Sequence, residues 1–270
     1  MTANLNSRWL FRPRPVRTPA LRWFMLPHAG ASAVVFRSWA DHLPADHDLC
    51  AVQLPGRSER LAEPPFEQLT PLVEQLADEL YPWLDVPFVI YGHSFGALVG
   101  FELTRTLRRR GLRAPMRLVV SGRRAPSVPS ARALHLLPNE ALEQRVRDFG
   151  GTPDEILMDP ELRSLFLGLI RADFKVIETY QYSEEAPLDV SMSMLCGSED
   201  REASEELMRP WLRESRAPST FHVLSGGHFF VLERPLAVLR LLLGEIAETS
   251  ATETREGDAP TATVASQETR

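Results

Sequence analysis

Six short apolar runs punctuate the chain: "LRWFMLP" at 21–27, "HDLCAVQLP" at 47–55, "PFVIYG" at 87–92, "MRLVVSG" at 116–122, "SMSMLCG" at 191–197 and "TFHVLSGG" at 220–227. Each is bounded by glycine or proline and lacks the polar alternation of a half-exposed strand, which is the pattern of strands buried on both faces. Between them, "AVVFRSWADHL", "LTPLVEQLADELYPWL", "FGALVGFELTRTLRRRG" and "EASEELMRPWLRES" space apolar residues by three and four, as amphipathic helices do. Parallel strands need a crossover long enough to hold a helix, so this alternation predicts a mostly parallel central sheet flanked by helices.

One stretch departs from the alternation. From Pro126 to Pro187 no strand pattern is found, whereas "LPNEALEQRVRDFGG", "TPDEILMD" and "PELRSLFLGLIRADFKVIETYQY" read as helices, with Pro138, Pro153 and Pro160 near their starts. Such an insertion either adds a covering layer or roofs the carboxyl edge of the sheet as a lid, and pattern alone does not choose. The expected organisation is an N-terminal arm at 1–19, one α/β domain at 20–248 that includes the helical insertion at about 126–187, and a tail at 249–270. That tail, "TSATETREGDAPTATVASQETR", holds almost no large apolar residue and is expected to be disordered.

With 270 residues, 44% of them hydrophobic and 24% charged, the chain can bury a substantial core. A net charge of −6 argues against nucleic acid as a partner. Cys50 and Cys196 sit inside apolar runs and read as buried free thiols, so neither a disulfide nor a metal is expected. No segment approaches the roughly 20 apolar residues of a membrane span, and "MTANLNSRWLFRPRPVR" lacks the apolar core of a secretory signal. No membrane association and a cytoplasmic location are expected.

The chemistry centres on Gly92-His93-Ser94-Phe95-Gly96, a G-x-S-x-G pattern between a predicted buried strand and a predicted helix. This is the setting of a nucleophile elbow: the glycines permit a tight turn, and the new helix turns its first amides toward an anion. A turn in which Ser94 merely caps the helix fits the same five residues. A serine nucleophile needs a base, normally histidine, oriented by a carboxylate. His228 follows Gly226-Gly227 beyond the last predicted strand, where a flexible loop can bring an imidazole back over the sheet. His222 lies inside a strand run, His42, His47 and His135 have no supporting pattern, and His28 precedes Ser94 and reads as loop-orienting. Glu199 and Asp200 both stand at a carboxyl strand end, and spacing prefers Asp200 only weakly; either also suits a helix cap. The amides of Phe95 and of Ala29, in "LPHAGAS", are the expected oxyanion donors.

With these residues in order, the blocks "LPHAGASAVVFRSWA", "AVQLPGRSER", "YGHSFGALVGFEL", "VVSGRRAPSVP", "GSEDREASEELMRPW" and "SGGHFFVLERP" resemble an α/β-hydrolase. More narrowly they resemble the stand-alone type II thioesterases of polyketide synthase and nonribosomal peptide synthetase pathways, over about residues 20–247. The resemblance implies an α/β-hydrolase fold with Ser94 as nucleophile, Asp200 rather than Glu199 as acid, His228 as base, and Ala29 and Phe95 as oxyanion amides. It implies hydrolysis of aberrant or stalled acyl groups from the phosphopantetheine thiol of acyl or peptidyl carrier proteins, with no cofactor, since that arm belongs to the substrate. Two positions depart from the family pattern: Ala31 stands where many members have a second glycine, and Arg201 where many have proline.

Under this reading the insertion becomes a lid over an acyl chamber, with Leu157, Leu165, Phe166 and Phe174 as candidate lining residues. The loop arginines Arg57, Arg60, Arg123 and Arg124 become candidates for docking an acidic carrier. The alternatives are a carboxylesterase or lipase acting on small oxygen esters, a product-releasing terminal thioesterase domain, and a non-catalytic hydrolase-fold binding protein.

Overall fold

All six runs form strands in the computed structural model, which describes residues 7–130 and 132–257. They are β2 (Leu21–Leu26), β3 (His47–Val52), β4 (Phe88–His93), β5 (Arg117–Ser121), β6 (Ser191–Gly197) and β7 (Thr220–Leu224). A further short strand, β1 (Leu10–Phe11), completes a sheet of order β1-β3-β2-β4-β5-β6-β7, in which only the β1–β3 pair is antiparallel. Every residue of β2, β4 and β5 is buried, because both faces are covered.

Alternate residues of one strand therefore serve two cores. Phe24 and Leu26 pack with Leu76 of α1 (Leu69–Leu80) and Leu98 of α2 (Phe95–Arg109). Trp23 and Met25 pack on the other side with Phe36 and Trp39 of the 3-10 segment Ala33–His42, and with Val238 and Leu242 of the C-terminal helix. The period of two along each strand converts one apolar run into two packed interfaces.

Between β5 and β6 the chain is helical, with a 3-10 turn at Leu134–Leu136 followed by α3 (Asn139–Phe149), α4 (Asp154–Met158) and α5 (Pro160–Thr179). Asp159 caps α5, accepting from the amides of Glu161 and Leu162 at 2.9 Å each, and Pro160 occupies the first helical position, where no amide donor is needed. These elements share a small core of Leu134, Leu142, Val146, Leu157, Leu167 and Ile170. The remaining helices are α6 (Glu205–Met208), α7 (Phe230–Glu233) and α8 (Pro235–Gly257).

Four details differ from the pattern reading, the first being that "AVVFRSWADHL" winds as the 3-10 segment Ala33–His42 and not as an α-helix. The stretch "EASEELMRPWLRES" gives only the short α6 and a 3-10 turn at Arg209–Arg213, since Pro210 cannot continue an α-helical ladder. The arm at 1–19 contains β1, a strand too short to show periodicity. The segment expected to be a disordered tail begins inside α8, which runs to Gly257, and residues 258–270 lie outside the described residues. Among the described residues no helix is long and apolar enough to cross a membrane, and both cysteines are free and buried.

Side-chain charge fastens β1 to the sheet. The carboxylate of Asp48, fully buried on β3, accepts a two-pronged contact from Arg12 at 3.1 and 2.8 Å and lies 3.5 Å from Nε of Arg22. Asp48→Ala leaves two buried guanidinium groups without this partner, and is expected to cost about 3–5 kcal/mol of stability, read as a lowered urea midpoint.

Candidate active site

Ser94 is the single residue between β4 and α2, and it adopts φ +53° and ψ −108°. A non-glycine residue at positive φ is strained, and the strain persists only where the surroundings enforce it. Here they do so by backbone contact. A Cβ on Gly92 would stand 2.1 Å from the carbonyl oxygen of Gly96, and one on Gly96 would stand 2.1 Å from the carbonyl oxygen of Leu26. The Ser94 amide donates to the Ser121 carbonyl at 2.8 Å, which ties the turn to the end of β5.

The chain returns to this point after β7. The hydroxyl of Ser94 lies 3.1 Å from Nε2 of His228, and Nδ1 of His228 lies 2.8 Å from Oδ2 of Asp200. With Nδ1–H donating to the carboxylate, Nε2 is left as the acceptor for the serine proton. The other oxygen of Asp200 accepts from the amides of Glu202 at 2.8 Å and Ala203 at 3.1 Å. Asp200 is buried, whereas Glu199 is exposed and has no contact with His228. Ala29 lies in the loop leaving β2 and lines the cavity beside Ser94, and Phe95 opens α2, where amides have no intrahelical acceptor.

Two further imidazoles crowd this site. His93 is buried, contacts the Ser121 hydroxyl through Nδ1 at 3.0 Å and lies 5.2 Å from His228, centroid to centroid. Burial pulls the His93 pKa well below its ordinary value, and the nearby His228 and His28 add to the effect. Burial likewise lowers the His28 pKa to about 4, aided by His228 and Arg57, and its ring packs edge-on against Phe229 at 5.0 Å. Both are therefore neutral near pH 7. The remaining histidines lie elsewhere: His222 contacts Glu245 at 2.6 Å, His135 contacts Glu178 at 2.5 Å, His47 accepts from the Trp23 indole at 3.2 Å, and His42 is exposed.

A cavity of about 570 Å³ opens over Ser94 and His228 beneath the helical insertion. Leu165, Phe166 and Phe174 line it. Leu157 does not; it packs into the core of the insertion, and its neighbour Ile156 faces the cavity instead. Adjacent helical positions point about 100° apart, so composition alone could not tell which of the two faces inward.

The four loop arginines also separate. Arg57 and Arg60 are buried, the first paired with Asp173 and the second with Glu63 at 2.6 Å and stacked 4.0 Å over Trp9, so neither presents a docking surface. Arg123 and Arg124 line the cavity. Nε of Arg123 is buried without a partner among the described residues, and burial, reinforced by Arg124, draws its pKa down to about 10. Asp173 had no signal in the sequence: it belongs to a helical pattern 116 residues from Arg57, and only folding brings the two together.

A parallel sheet with a strained serine turn at the carboxyl end of a central strand defines an α/β-hydrolase. Comparison with known proteins narrows the class. The thioesterase domain family model matches residues 22–245. The gramicidin S biosynthesis protein GrsT of Aneurinibacillus migulanus is 34% identical over 241 residues, covering 89% of this chain and 94% of that protein. The type II thioesterase BorB from the borrelidin biosynthetic cluster is 35% identical with a TM-score of 0.81, covering 91% of this chain and 99% of that one. YbtT, a type II thioesterase from the yersiniabactin NRPS/PKS pathway, is 34% identical with the same TM-score of 0.81, covering 89% and 99%. The chain belongs to the thioesterase family and is a thioester hydrolase.

Two outcomes follow from the packing. Gly96→Ala drives a methyl group into the Leu26 carbonyl, and is expected to lower both thermal stability and turnover, measured on purified protein. His28 takes up protons more readily unfolded than folded, its pKa falling from 6.5 to about 4 on folding. Its contribution to stability is thus present above about pH 6.5 and is lost as pH falls through the window toward 4. The melting-temperature advantage of wild type over His28→Gln is expected to shrink by roughly a few degrees between pH 7 and 4.5 in calorimetry.

Proposed function

We propose that this chain is a stand-alone editing thioesterase that hydrolyses acyl groups from the phosphopantetheine thiol of acyl or peptidyl carrier proteins. Ser94 is the nucleophile, His228 the general base and Asp200 the orienting acid. The observation that carries this reading is the continuous Ser94–His228–Asp200 hydrogen-bonded relay at the floor of a largely apolar cavity. The pathway named for YbtT and the biosynthetic cluster named for BorB support a carrier-bound substrate, and both are matched along 99% of their length.

In this mechanism the Ser94 hydroxyl adds to the thioester carbonyl as its proton passes to Nε2 of His228. The tetrahedral oxyanion is received by the amides of Phe95 and Ala29. Collapse expels the pantetheine thiolate, which takes the proton from His228 and leaves an acyl-Ser94 ester. Water then attacks that ester with His228 as base, releasing a carboxylic acid and restoring the hydroxyl. Asp200 stabilises the imidazolium in both halves. No step calls on a metal or an organic cofactor. The helical insertion acts as a lid that keeps bulk water from the acyl group, with Leu165, Phe166 and Phe174 in contact with it. A cytoplasmic site of action goes with this carrier-bound chemistry.

Ser94→Ala and His228→Ala are each expected to reduce release of acyl groups from a carrier protein by about 10⁴-fold or more, followed by intact-protein mass spectrometry. Retained turnover in either would overturn the assignment. Wild type is expected to show higher kcat/KM for an acyl carrier protein than for the matched small-thiol thioester or oxygen ester, and preference for the oxygen ester would remove the carrier-bound substrate.

A further inference from the structure

The carboxylate of Asp173, on α5 of the insertion, is almost fully buried, yet it contacts no group of the Ser94 relay. It contacts the loop that leaves β2 instead. Oδ2 of Asp173 accepts from the Gly30 amide at 2.7 Å. Arg57 grips the same carboxylate with two nitrogens, Nη1 to Oδ2 at 3.1 Å and Nη2 to Oδ1 at 2.9 Å, while Nη1 also donates to the Ala31 carbonyl at 3.1 Å. Gln53 extends the brace, donating to the Arg57 carbonyl at 3.0 Å and accepting from the Ala33 amide at 2.9 Å. The loop is pressed onto α5 as well as bonded to it: Gly30 sits at φ +76°, and a Cβ there would lie 2.9 Å from the Phe166 ring.

Burying two opposite charges gains little net stability over a well-packed apolar pair, so adhesion between α5 and the loop does not account for this arrangement. What a two-pronged guanidinium-carboxylate contact adds is direction. It holds the Gly30 amide, in the first peptide group after Ala29, and the Ala31 carbonyl, in the third, at set positions. An oxyanion donor loses its value when it strays, and a displacement of about 1 Å can cost about 100-fold in rate.

We infer that Arg57 and Asp173 are positioning residues for hydrolysis, a buried clasp that holds loop 28–31 so that the Ala29 amide faces the reacting oxygen only while α5 is seated. This rests on the oxyanion role given to Ala29 in the proposed function. The clasp makes α5 both a wall of the acyl cavity and a support of the catalytic loop. A sequence change in the roof therefore acts on the rate of the chemical step, and not only on which acyl groups fit.

The test compares Asp173→Asn, Arg57→Lys and the charge-free double variant Arg57→Met/Asp173→Leu with wild type on one acyl carrier protein. Each folded variant is expected to lose about 10- to 100-fold in kcat while KM stays within about threefold. The acid limb of the pH profile is expected to stay in place, because the His228–Asp200 contact is untouched. The double variant, which strands no buried charge, is expected to melt near wild type and still to be slow. A wild-type kcat in any folded variant would overturn the clasp, as would a raised KM with unchanged kcat, or loss of the fold in all three. A dead Ser94→Ala beside a full-rate double variant defeats this inference alone, whereas an active Ser94→Ala defeats the reading beneath it.

Discussion

The close approach of the first turn of α2 to the ends of β2 and β4 is the contact on which the rest of the site depends. Backbone meets backbone there, at Gly96 against the Leu26 carbonyl and at Gly92 against Gly96, so no side chain can be inserted without moving a strand or the helix. That fit forces Ser94 into a conformation its own side chain disfavours and lifts it above the sheet edge. It also sets the distance between the start of α2 and the loop that leaves β2, the two sources of the proposed oxyanion donors. Strain at one residue is thus held by the packing of two central strands and the helix between the central strands β4 and β5.

Electrostatics then separates one histidine from the others near it. His28, His93 and His228 lie within contact distance in a chain, with His93 facing both of the others. Burial keeps His28 and His93 neutral, and only His228 has a buried carboxylate on its second nitrogen. Of these three imidazoles, His228 alone has a carboxylate on one nitrogen and the Ser94 hydroxyl on the other. The Asp200 carboxylate on its Nδ1 is itself held by two backbone amides, so its orientation does not depend on its own rotamer preference.

The helical insertion joins the sheet at the same edge. Its apolar side chains roof the cavity, its Asp173 carboxylate grips the loop beside Ser94 through Arg57, and its own small core keeps α3, α4 and α5 together. A layer that contributed only apolar cover would shape the chamber and nothing else; this one is also bonded to the loop that follows β2 beside Ser94.

Sequence by itself determined the six parallel strands, the helices α1 and α2, the helical insertion and the serine turn, because each is written in a local period or in glycines beside one serine. It also placed His228 and a pair of acids at strand ends, where chain order and loop chemistry narrow the choices. Local pattern left Glu199 and Asp200 open, since they are neighbours with the same charge; family resemblance implied Asp200, and the tertiary structure buries Asp200 against the imidazole and exposes Glu199. It alone turned Ile156 rather than Leu157 to the cavity, paired β1 with β3, and removed Arg57 and Arg60 from the surface. The reason is common to all of these: each depends on which groups from distant parts of the chain meet in space, and a contact such as Arg57 with Asp173, 116 residues apart, leaves no trace in any local pattern.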